Sequence, residues 1–504
     1  MRALSLLLLP SVSCALRGGK GMVIGNDGAA QETPLKTRNV IDRVPCPGPF
    51  FSRSSPEIVD CDKDDGKKKF VLESIEGYYC CTLLHKLQDW DKIQTSIAGR
   101  AEDDRMGLGT ENGSGVAMSA DGTRLAVGTR YNDNQGGKNA GMVRVYEETP
   151  FGWEPLGQPI PGHSDGELFG YSIAMSHNGK VVAVSSVRAH GSRGTYQGVV
   201  RVYMYDEDSF PPLWRQFGSE LHGDDTLDYF GHSVSLCSEG NVVAIGAVQH
   251  FGIEDKKWTG YVKAFGWNGN RWNPMGEPLH GLVNGERFGS AVSLSASGKV
   301  MAVGANGGDT GTVSVYRFVE GNWLELGQSL VGLDDQERFG SSVSMAMNGK
   351  TVAIGAPHAG ENSGAVRVYH LRDDEWFQVG EDIVLTSNTS SNNNNNSHQH
   401  KDEAVEDAEF GSSVSLSGDG GTVLVGAAHA HGPQSVFEGQ VRAFRFQNER
   451  WELLGKPLSG STASENFGVA VSLSKDGKRL AASAPYANTD SGKHAGEVRI
   501  YGLQ

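Results

Sequence analysis

The sequence predicts an all-β protein, a seven-bladed β-propeller with four-stranded antiparallel blades. Three observations support this prediction. One phrase recurs seven times, each copy alternates like strands joined by tight turns, and the last copy lacks a strand that the N-terminal region supplies. The chain of 504 residues is 38% hydrophobic and contains 68 glycines, a composition typical of a globular protein with many turns.

The recurring phrase is plainest in two copies, FGSSVSMAMNGKTVAIGAP from Phe339 and FGSSVSLSGDGGTVLVGAA from Phe410. Successive copies start between 51 and 71 residues apart. The seven starts are Asn112, Phe169, Phe230, Phe288, Phe339, Phe410 and Phe467. A repeat of this kind indicates either the blades of a propeller or the units of a solenoid.

Each copy except the last contains the signals of four strands. The first, such as SVSLS, alternates small polar residues with Val, Leu or Met, which is the period-two pattern of a strand. A dipeptide ending in Gly follows, as in Asp121-Gly122, and mostly indicates a two-residue type I′ hairpin. The second strand reads like VAIG and the third like GAVRVY. The fourth begins at a Trp and reaches a Gly nine residues later, as from Trp214 to Gly223.

The two ends of the chain decide between propeller and solenoid. The last copy stops at Gln504 without a fourth strand, whereas Trp90 to Gly99 shows the same nine-residue step before the first copy. An N-terminal strand that completes the last blade closes a ring and removes the exposed edges of an open array. A linear stack gains nothing from such a strand, so the ends favour the propeller.

The sequence divides into three predicted parts. Residues 1–15 combine a positive residue, a short apolar run and small residues, the pattern of a signal peptide, so we expect a secreted, extracellular protein. Residues 16–85 form a Cys-containing segment. Residues 86–504 form the propeller, which the polar, low-complexity insert 386–409 interrupts.

Covalent modifications are expected in this setting. Cys46, Cys61, Cys80 and Cys81 are predicted to form disulfides, since their spacing contains no CxxC pair suited to zinc, and the sequence leaves their pairing open. Asn388 and Asn395 lie in N-glycosylation sequons of the insert and are predicted glycan sites.

With its Phe-Gly openings, Gly-Ala second strands and Gly-x-Val-x-Val-Tyr third strands, the region from 90 to 504 resembles the FG-GAP repeat. This repeat builds the integrin α-chain propeller and many secreted bacterial and algal proteins. Calcium-binding members carry a DxDxDG-type loop between the first two strands, because calcium takes six to eight oxygen ligands. Here that connection offers at most one carboxylate, so we expect neither calcium sites nor another metal or cofactor.

The composition of the chain and the sequences of its inner strands disfavour several classes of partner and of activity. A formal net charge of −15 without a basic block disfavours nucleic acid and anionic membranes as partners, and no segment after the first fifteen residues is suited to spanning a bilayer. We expect a monomer. The first strands carry no repeated acid, base or nucleophile, so no catalytic residue is predicted.

Acidic residues recur in the loops that join one blade to the next. Because these loops meet on one face near the channel, we predict a ligand-binding surface for a basic or cationic group. Its residues are Asp224, Asp225, Glu286, Asp334, Asp335 and Glu337. The alternative is structural, since a carboxylate there can accept backbone N–H bonds from the connection.

Histidines recur in the loops between second and third strands. They are His190, His250, His358, His429, His431 and His494. We expect them to be solvated, because only His429 and His431 are close in sequence and a zinc site needs a third ligand.

These observations predict a secreted or cell-surface propeller that binds a protein or glycan partner and has no catalysis of its own. One alternative is a hydrolase or lyase that works from loop residues. Another is an intracellular scaffold of the WD-repeat type. Titratable groups that converge on a pocket over the channel are the feature that favours the enzyme.

The first testable prediction concerns calcium. Because the connections between first and second strands lack carboxylate-rich loops, calorimetric unfolding in calcium and in chelator should give the same midpoint. A ligand that binds only the native state must raise the midpoint, so a large calcium-dependent rise contradicts this prediction.

Overall fold

In the computed structural model, the described residues are 88–93, 96–109, 115–192, 194–249, 258–385, 407–431 and 437–504, together with the backbone of six N-terminal strands. The chain divides into two compact units, Met1–Gln88 and Asp89–Gln504. Among the described residues, no helix is both long and apolar enough to cross a bilayer.

The first unit contains an antiparallel sheet of six strands in the order β3-β2-β1-β4-β5-β6. The strands are β1 (Val12–Leu16), β2 (Lys20–Ile24), β3 (Ala30–Thr33), β4 (Val59–Lys63), β5 (Lys69–Ile75) and β6 (Tyr78–Leu84). The predicted boundaries of the signal peptide and of the Cys-containing segment stay predictions.

The second unit is a ring of seven antiparallel blades, in which the outermost strand is split into two short segments. The segments β7 (Trp90–Lys92) and β8 (Ile97–Ala98) precede the first blade. Blade 1 has β9 (Val116–Met118), β10 (Arg124–Thr129), β11 (Met142–Thr149), β12 (Gly152–Pro155) and β13 (Ile160–Pro161). Blade 2 has β14 (Phe169–Met175), β15 (Val181–Ser186), β16 (Val199–Asp206), β17 (Leu213–Gln216) and β18 (Leu221–His222). Blade 3 has β19 (Phe230–Leu236), β20 (Val242–Ala247), β21 (Tyr261–Trp267), β22 (Trp272–Pro274) and β23 (Leu279–His280).

The remaining blades repeat this plan. Blade 4 has β24 (Phe288–Leu294), β25 (Val300–Ala305), β26 (Thr312–Val319), β27 (Asn322–Glu325) and β28 (Leu330–Val331). Blade 5 has β29 (Ser342–Met345), β30 (Thr351–Ala356), the single helical turn α1 (Ala359–Asn362), β31 (Ala365–Arg372), β32 (Glu375–Gln378) and β33 (Ile383–Val384). Blade 6 has β34 (Ser413–Leu416), β35 (Thr422–Ala427), β36 (Gln440–Gln447), β37 (Arg450–Leu453) and β38 (Leu458–Ser459). Blade 7 has β39 (Val471–Leu473), β40 (Arg479–Ala484) and β41 (Glu497–Leu503).

The predicted ring closure is confirmed. Strand β41 of blade 7 pairs with both N-terminal segments, with Leu503 opposite Trp90 and Val498 opposite Ile97. Trp90 is buried, and its indole N–H donates to the carbonyl of Leu454 in blade 6 at 2.9 Å. The N-terminal segments are therefore the outer strand of the last blade.

Two contacts join most neighbouring blades; among the described residues, blade 1 departs from both, since Met106 replaces the Phe and the indole nitrogen of Trp153 has no hydrogen-bond partner. The Phe of Phe-Gly is buried between blades, and Phe169, Phe230 and Phe410 have no exposed surface. The Trp that begins the outer strand donates its indole N–H to a carbonyl of the preceding blade, as Trp214 does to Leu156 at 2.8 Å. Burying this polar group with a partner lets a large apolar ring fill the space between blades.

At the channel end next to the hairpin turns, backbone hydrogen bonds form a closed circle that we call the axial ring. One residue from each blade accepts the N–H of the residue from the previous blade, over 2.8 to 3.0 Å, and the bond from Lys475 to Ala120 closes the circle. The residues are Ala120, His177, Ser238, Ala296, Met347, Gly418 and Lys475. Each inner strand is thereby fixed against the next.

The turn that follows the axial ring differs from the predicted type I′ hairpin. Only the Gly has a positive φ, 73° at Gly122, and its N–H donates to the carbonyl of Ser119 at 3.0 Å. This is the pattern of a type I turn that ends in a left-handed Gly. The carboxylate of Asp121 accepts the N–H of Thr123 at 3.0 Å and the hydroxyl of Ser119 at 2.6 Å. The Oδ1 atom of Asp121 therefore stabilises the turn.

The first blade starts earlier than Asn112, the predicted start. Met106 and Gly107 occupy the Phe-Gly position: Met106 is buried, Gly107 has a φ of 80°, and its N–H donates to Gly128 as Gly340 does to Gly355. This start was not predicted from the sequence, because Met106 stands where the other copies have Phe.

The closure generates a prediction. A chain that begins at Arg100 loses the outer strand of blade 7, including buried Trp90 and Ile97, whereas a chain that begins at Asp89 keeps it. Because losing one buried Trp costs about 3–5 kcal/mol, the shorter chain should melt well below the longer one. It should also aggregate through the exposed edge of β41, as light scattering will report. Equal melting temperatures and two monomers contradict the closure argument.

Candidate active site

The mouth of the channel opposite the axial ring is built from seven equivalent backbone positions. In every blade, the residue directly before the Phe-Gly position has a left-handed backbone, with φ between 47° and 58°. These mouth residues are Arg105, Leu168, Tyr229, Arg287, Arg338, Glu409 and Asn466. Such a backbone is strained for residues other than Gly, and it recurs here with a different side chain in most blades. The blades thus place chemically different side chains at equivalent backbone positions.

Three mouth residues line a single cavity of about 330 Å³ over the channel, which we call the mouth cavity. Blades 5, 6, 7 and 1 contribute its walls, through the loops after their second strands and the starts of their inner strands. Its titratable residues are Arg130, Arg338, His358, Glu409, His429 and Tyr486.

Glu409 occupies the centre of this group of side chains. Its Oε2 lies 3.2 Å from Nδ1 of His429, and its Oε1 lies 3.8 Å from Nε2 of His358. The sequence of blade 6 explains the placement. In the other blades an acid stands two residues before the Phe-Gly position, but in blade 6 buried Ala408 takes that place and the acid moves one residue on, to the mouth position.

The two histidines have opposite pKa shifts. The hydrogen bond with Glu409 raises the pKa of His429, and the same bond lowers the pKa of the Glu409 carboxyl. Burial, and then the charge of Arg338, lower the pKa of His358. The cavity therefore holds one imidazole whose protonated form is stabilised and one whose neutral form is stabilised.

The acids of the blade-to-blade loops are mostly engaged in structural contacts. Glu337 is buried, accepts the N–H of Leu333 at 2.7 Å and pairs with Arg367 at 2.7 Å. Glu286 accepts the N–H groups of Leu282 and Val283 at 2.7 Å each. These contacts are those of the structural alternative weighed for the acidic loops.

The other predicted ligand residues lie at several places on the same loops. Asp224 accepts a hydrogen bond from Lys263 at 2.6 Å, and Asp225 accepts the N–H of Thr226 at 2.7 Å. Asp334 and Asp335 are exposed, and Asp335 lines a second cavity beside Arg338 and His358. A ligand-binding role for these residues stays a prediction.

The predicted modification sites lie outside the described residues: Asn388, Asn395 and Cys46 entirely, and Cys61, Cys80 and Cys81 in their side chains. Disulfide pairing and glycosylation therefore stay predictions. Within the described part of the chain, no three His, Cys, Asp or Glu side chains are grouped so as to hold a metal ion.

The convergence of His358, Glu409 and His429 was not predicted from the sequence. The two histidines were expected to be solvated loop residues, but both are partly buried and meet at Glu409. The available signal was the shift of one acid to the mouth position in the sixth copy. It was overlooked because a search for repeated chemistry passes over a group that occurs once.

No family model and no curated protein matches the chain. Among solved structures, a putative 6-phosphogluconolactonase from Bacteroides uniformis is similar at 10% identity, covering 78% of this chain and 92% of its own, with a TM-score of 0.47. The periplasmic gluconolactonase of Pseudomonas aeruginosa has 14% identity, 74% and 93% coverage and a TM-score of 0.45. Hydrazine synthase of Kuenenia stuttgartiensis has 12% identity, 74% and 92% coverage and a TM-score of 0.46.

Two predictions need correction. No family model matches the chain, so the seven-bladed propeller is the part of the FG-GAP resemblance that the structure supports. The prediction of a non-catalytic propeller that binds a protein or glycan is wrong on the geometry of the mouth cavity, whereas the lactonases among the similar structures show a shared fold alone. The mouth cavity also contains the converging titratable groups that favour the enzyme alternative.

The geometry predicts how the histidines titrate. Replacing Glu409 by Gln removes the charge that stabilises the His429 imidazolium, so the pKa of His429 should fall. NMR titration of the histidine ring signals measures this directly. The matched control is Asp103→Asn, which changes the carboxylate beside His494, 3.3 Å away, and should leave His429 unchanged. An unaltered His429 pKa in the Glu409 variant contradicts the proposed pairing.

Proposed function

We propose that the protein is a hydrolase that cleaves an ester bond, lactones included, in the mouth cavity. One observation carries the proposal: two imidazoles with opposite pKa shifts converge on one carboxylate inside a cavity. Environments that push the pKa values of two neighbouring groups apart separate a base from an acid at one pH. His358 is then the general base and His429 the general acid.

The reaction follows from these roles. The neutral imidazole of His358 takes a proton from water while the water oxygen bonds to the carbonyl carbon. As the tetrahedral intermediate collapses, the bond from carbon to the leaving oxygen breaks, and the His429 imidazolium donates a proton to that oxygen. Glu409 holds His429 in its charged form, and Arg338, whose charge acts on His358, supplies positive charge for the developing oxyanion.

The contacts in the cavity favour water, and not a serine hydroxyl, as the nucleophile. Ser341 and Ser412 both line the cavity, but the Ser341 hydroxyl donates to the carbonyl of Arg338 at 2.8 Å. The Ser412 hydroxyl has no hydrogen-bond partner among the described residues. Neither serine is hydrogen-bonded to an imidazole that could activate it, so a covalent mechanism lacks its base.

The size of the cavity limits the substrate. A volume of about 330 Å³ lies at the lower end of the range for small-molecule sites. It suits a metabolite-sized ester better than a polymer. An extracellular location stays a prediction, since it rests on the N-terminal sequence, the four cysteines and the two sequons.

Assay of the purified protein on small aryl esters, δ-lactones and aldonolactones tests the proposal. The rate should be bell-shaped in pH, falling below the lowered pKa of His358 and above the raised pKa of His429. His358→Gln and His429→Gln should each lower kcat by roughly 10²–10⁴-fold, whereas His494→Gln, outside the cavity, should not. Hydrolysis of none of these substrates, or full activity in both cavity variants, contradicts the proposal.

A further inference from the structure

The mouth cavity carries more positive than negative charge in an acidic protein. The chain has a formal net charge of −15, yet the cavity is lined by Arg130, Arg338 and His429, whose charged form is stabilised, and by the single carboxylate of Glu409. That carboxylate is already engaged with His429 at 3.2 Å. A concave site of one charge sign attracts ligands of the opposite sign, which here means an anion.

Arg130 is the most unusual of these cations. It lies directly after β10, two residues beyond Gly128, where the other blades have Val187, Val248, Asn306, Pro357, Ala428 and Pro485. Its guanidinium carbon lies 5.0 Å from the ring centroids of both Tyr131 and Tyr171, and its Nη1 donates to the carbonyl of Gly109 at 2.6 Å. These contacts hold the planar head group in place before any ligand arrives.

The same side chain has an unused donor. The Nε atom of Arg130 is buried and has no hydrogen-bond partner among the described residues. The hydroxyl of Ser412, on another wall of the mouth cavity, is also buried and also lacks a described partner. Buried donors of this kind are costly unless an acceptor satisfies them, and two of them belong to residues that line one cavity, which favours a ligand rich in acceptors there.

We infer that the substrate of this cavity is an anion, and that Arg130, supported by Ser412, binds its carboxylate or phosphate group. Both groups present oxygen acceptors in a geometry that a guanidinium matches. The inference rests on the proposed function for the identity of the ligand as a substrate. Arg130 is then the residue that determines specificity, on a different blade from His358, Glu409 and His429.

Calorimetric titration of the full chain with inorganic phosphate and, separately, with malonate tests this without any turnover. The wild type should bind at least one of them, and the tighter of the two identifies the anionic group. Arg130→Gln should weaken that binding by roughly tenfold or more, as expected for a lost charge-assisted hydrogen bond. Arg188→Gln is the matched control, since Arg188 is exposed, lies outside the cavity and contacts Tyr196 in the same way, at 5.9 Å.

A second variant guards against misfolding. Arg130→Lys keeps the positive charge but removes the Nε donor, so it should fold as the wild type does and bind with intermediate affinity. Wild-type affinity in Arg130→Gln, equal losses in Arg130→Gln and Arg188→Gln, or no binding of either anion by the wild type overturns the inference.

Kinetics separate this inference from the proposed function. On a pair of aryl esters that differ only in a carboxylate on the acyl chain, Arg130→Gln should raise KM for the charged ester by a larger factor than for the neutral ester. Anion binding through Arg130 without hydrolysis of any ester refutes the hydrolase and leaves the anion site standing. Hydrolysis of both esters at rates that Arg130→Gln does not alter refutes the anion site and leaves the hydrolase standing.

Discussion

Seven backbone hydrogen bonds, one from each blade to the next, close a circle around the channel beside the hairpin turns. Each blade donates one bond and accepts one, so an open ring would leave one donor and one acceptor unpaired beside the axis. The outer edges are joined by indole hydrogen bonds and by the N-terminal strand of blade 7. Because each inner strand is fixed to the next, the inner strands reach the opposite face with one shared backbone geometry, which is seen in the left-handed φ of all seven mouth residues.

On this scaffold, titratable groups of the mouth cavity stand where a blade departs from the repeated sequence. Blade 6 replaces a buried acid by Ala408 and moves the carboxylate to Glu409, and blade 1 places Arg130 where other blades have apolar or small residues. The acids that recur from blade to blade have structural contacts instead. They accept loop N–H groups and pair with buried arginines, as Glu465 does with Arg499 at 2.7 Å. A rigid scaffold with a few substituted positions keeps catalytic groups in a fixed relation to one another.

The features that could be predicted from the sequence are those that every blade needs in order to pack and to close the ring. The alternation of the strands, the Gly-containing turns and the displaced Trp90 strand recur because packing and closure require them, and they predict the propeller. The start of blade 1 was misplaced because Met106 fills the Phe position. The site was missed because His358, Glu409 and His429 each occur once, in different loops, and only the folded ring brings them together. A repeat analysis detects shared residues, whereas this site consists of exceptions.

The central claim is that His358 and His429 act in one reaction, as base and acid. A double-mutant cycle on the best ester substrate tests it most directly, through kcat/KM of the two single Gln variants and the double variant. His358 assists the formation of the tetrahedral intermediate and His429 its collapse, so the step that is slowed more limits kcat/KM and the two losses do not multiply. The account predicts that the double variant is about as slow as the slower single variant. Losses that multiply, so that each histidine contributes independently, contradict it.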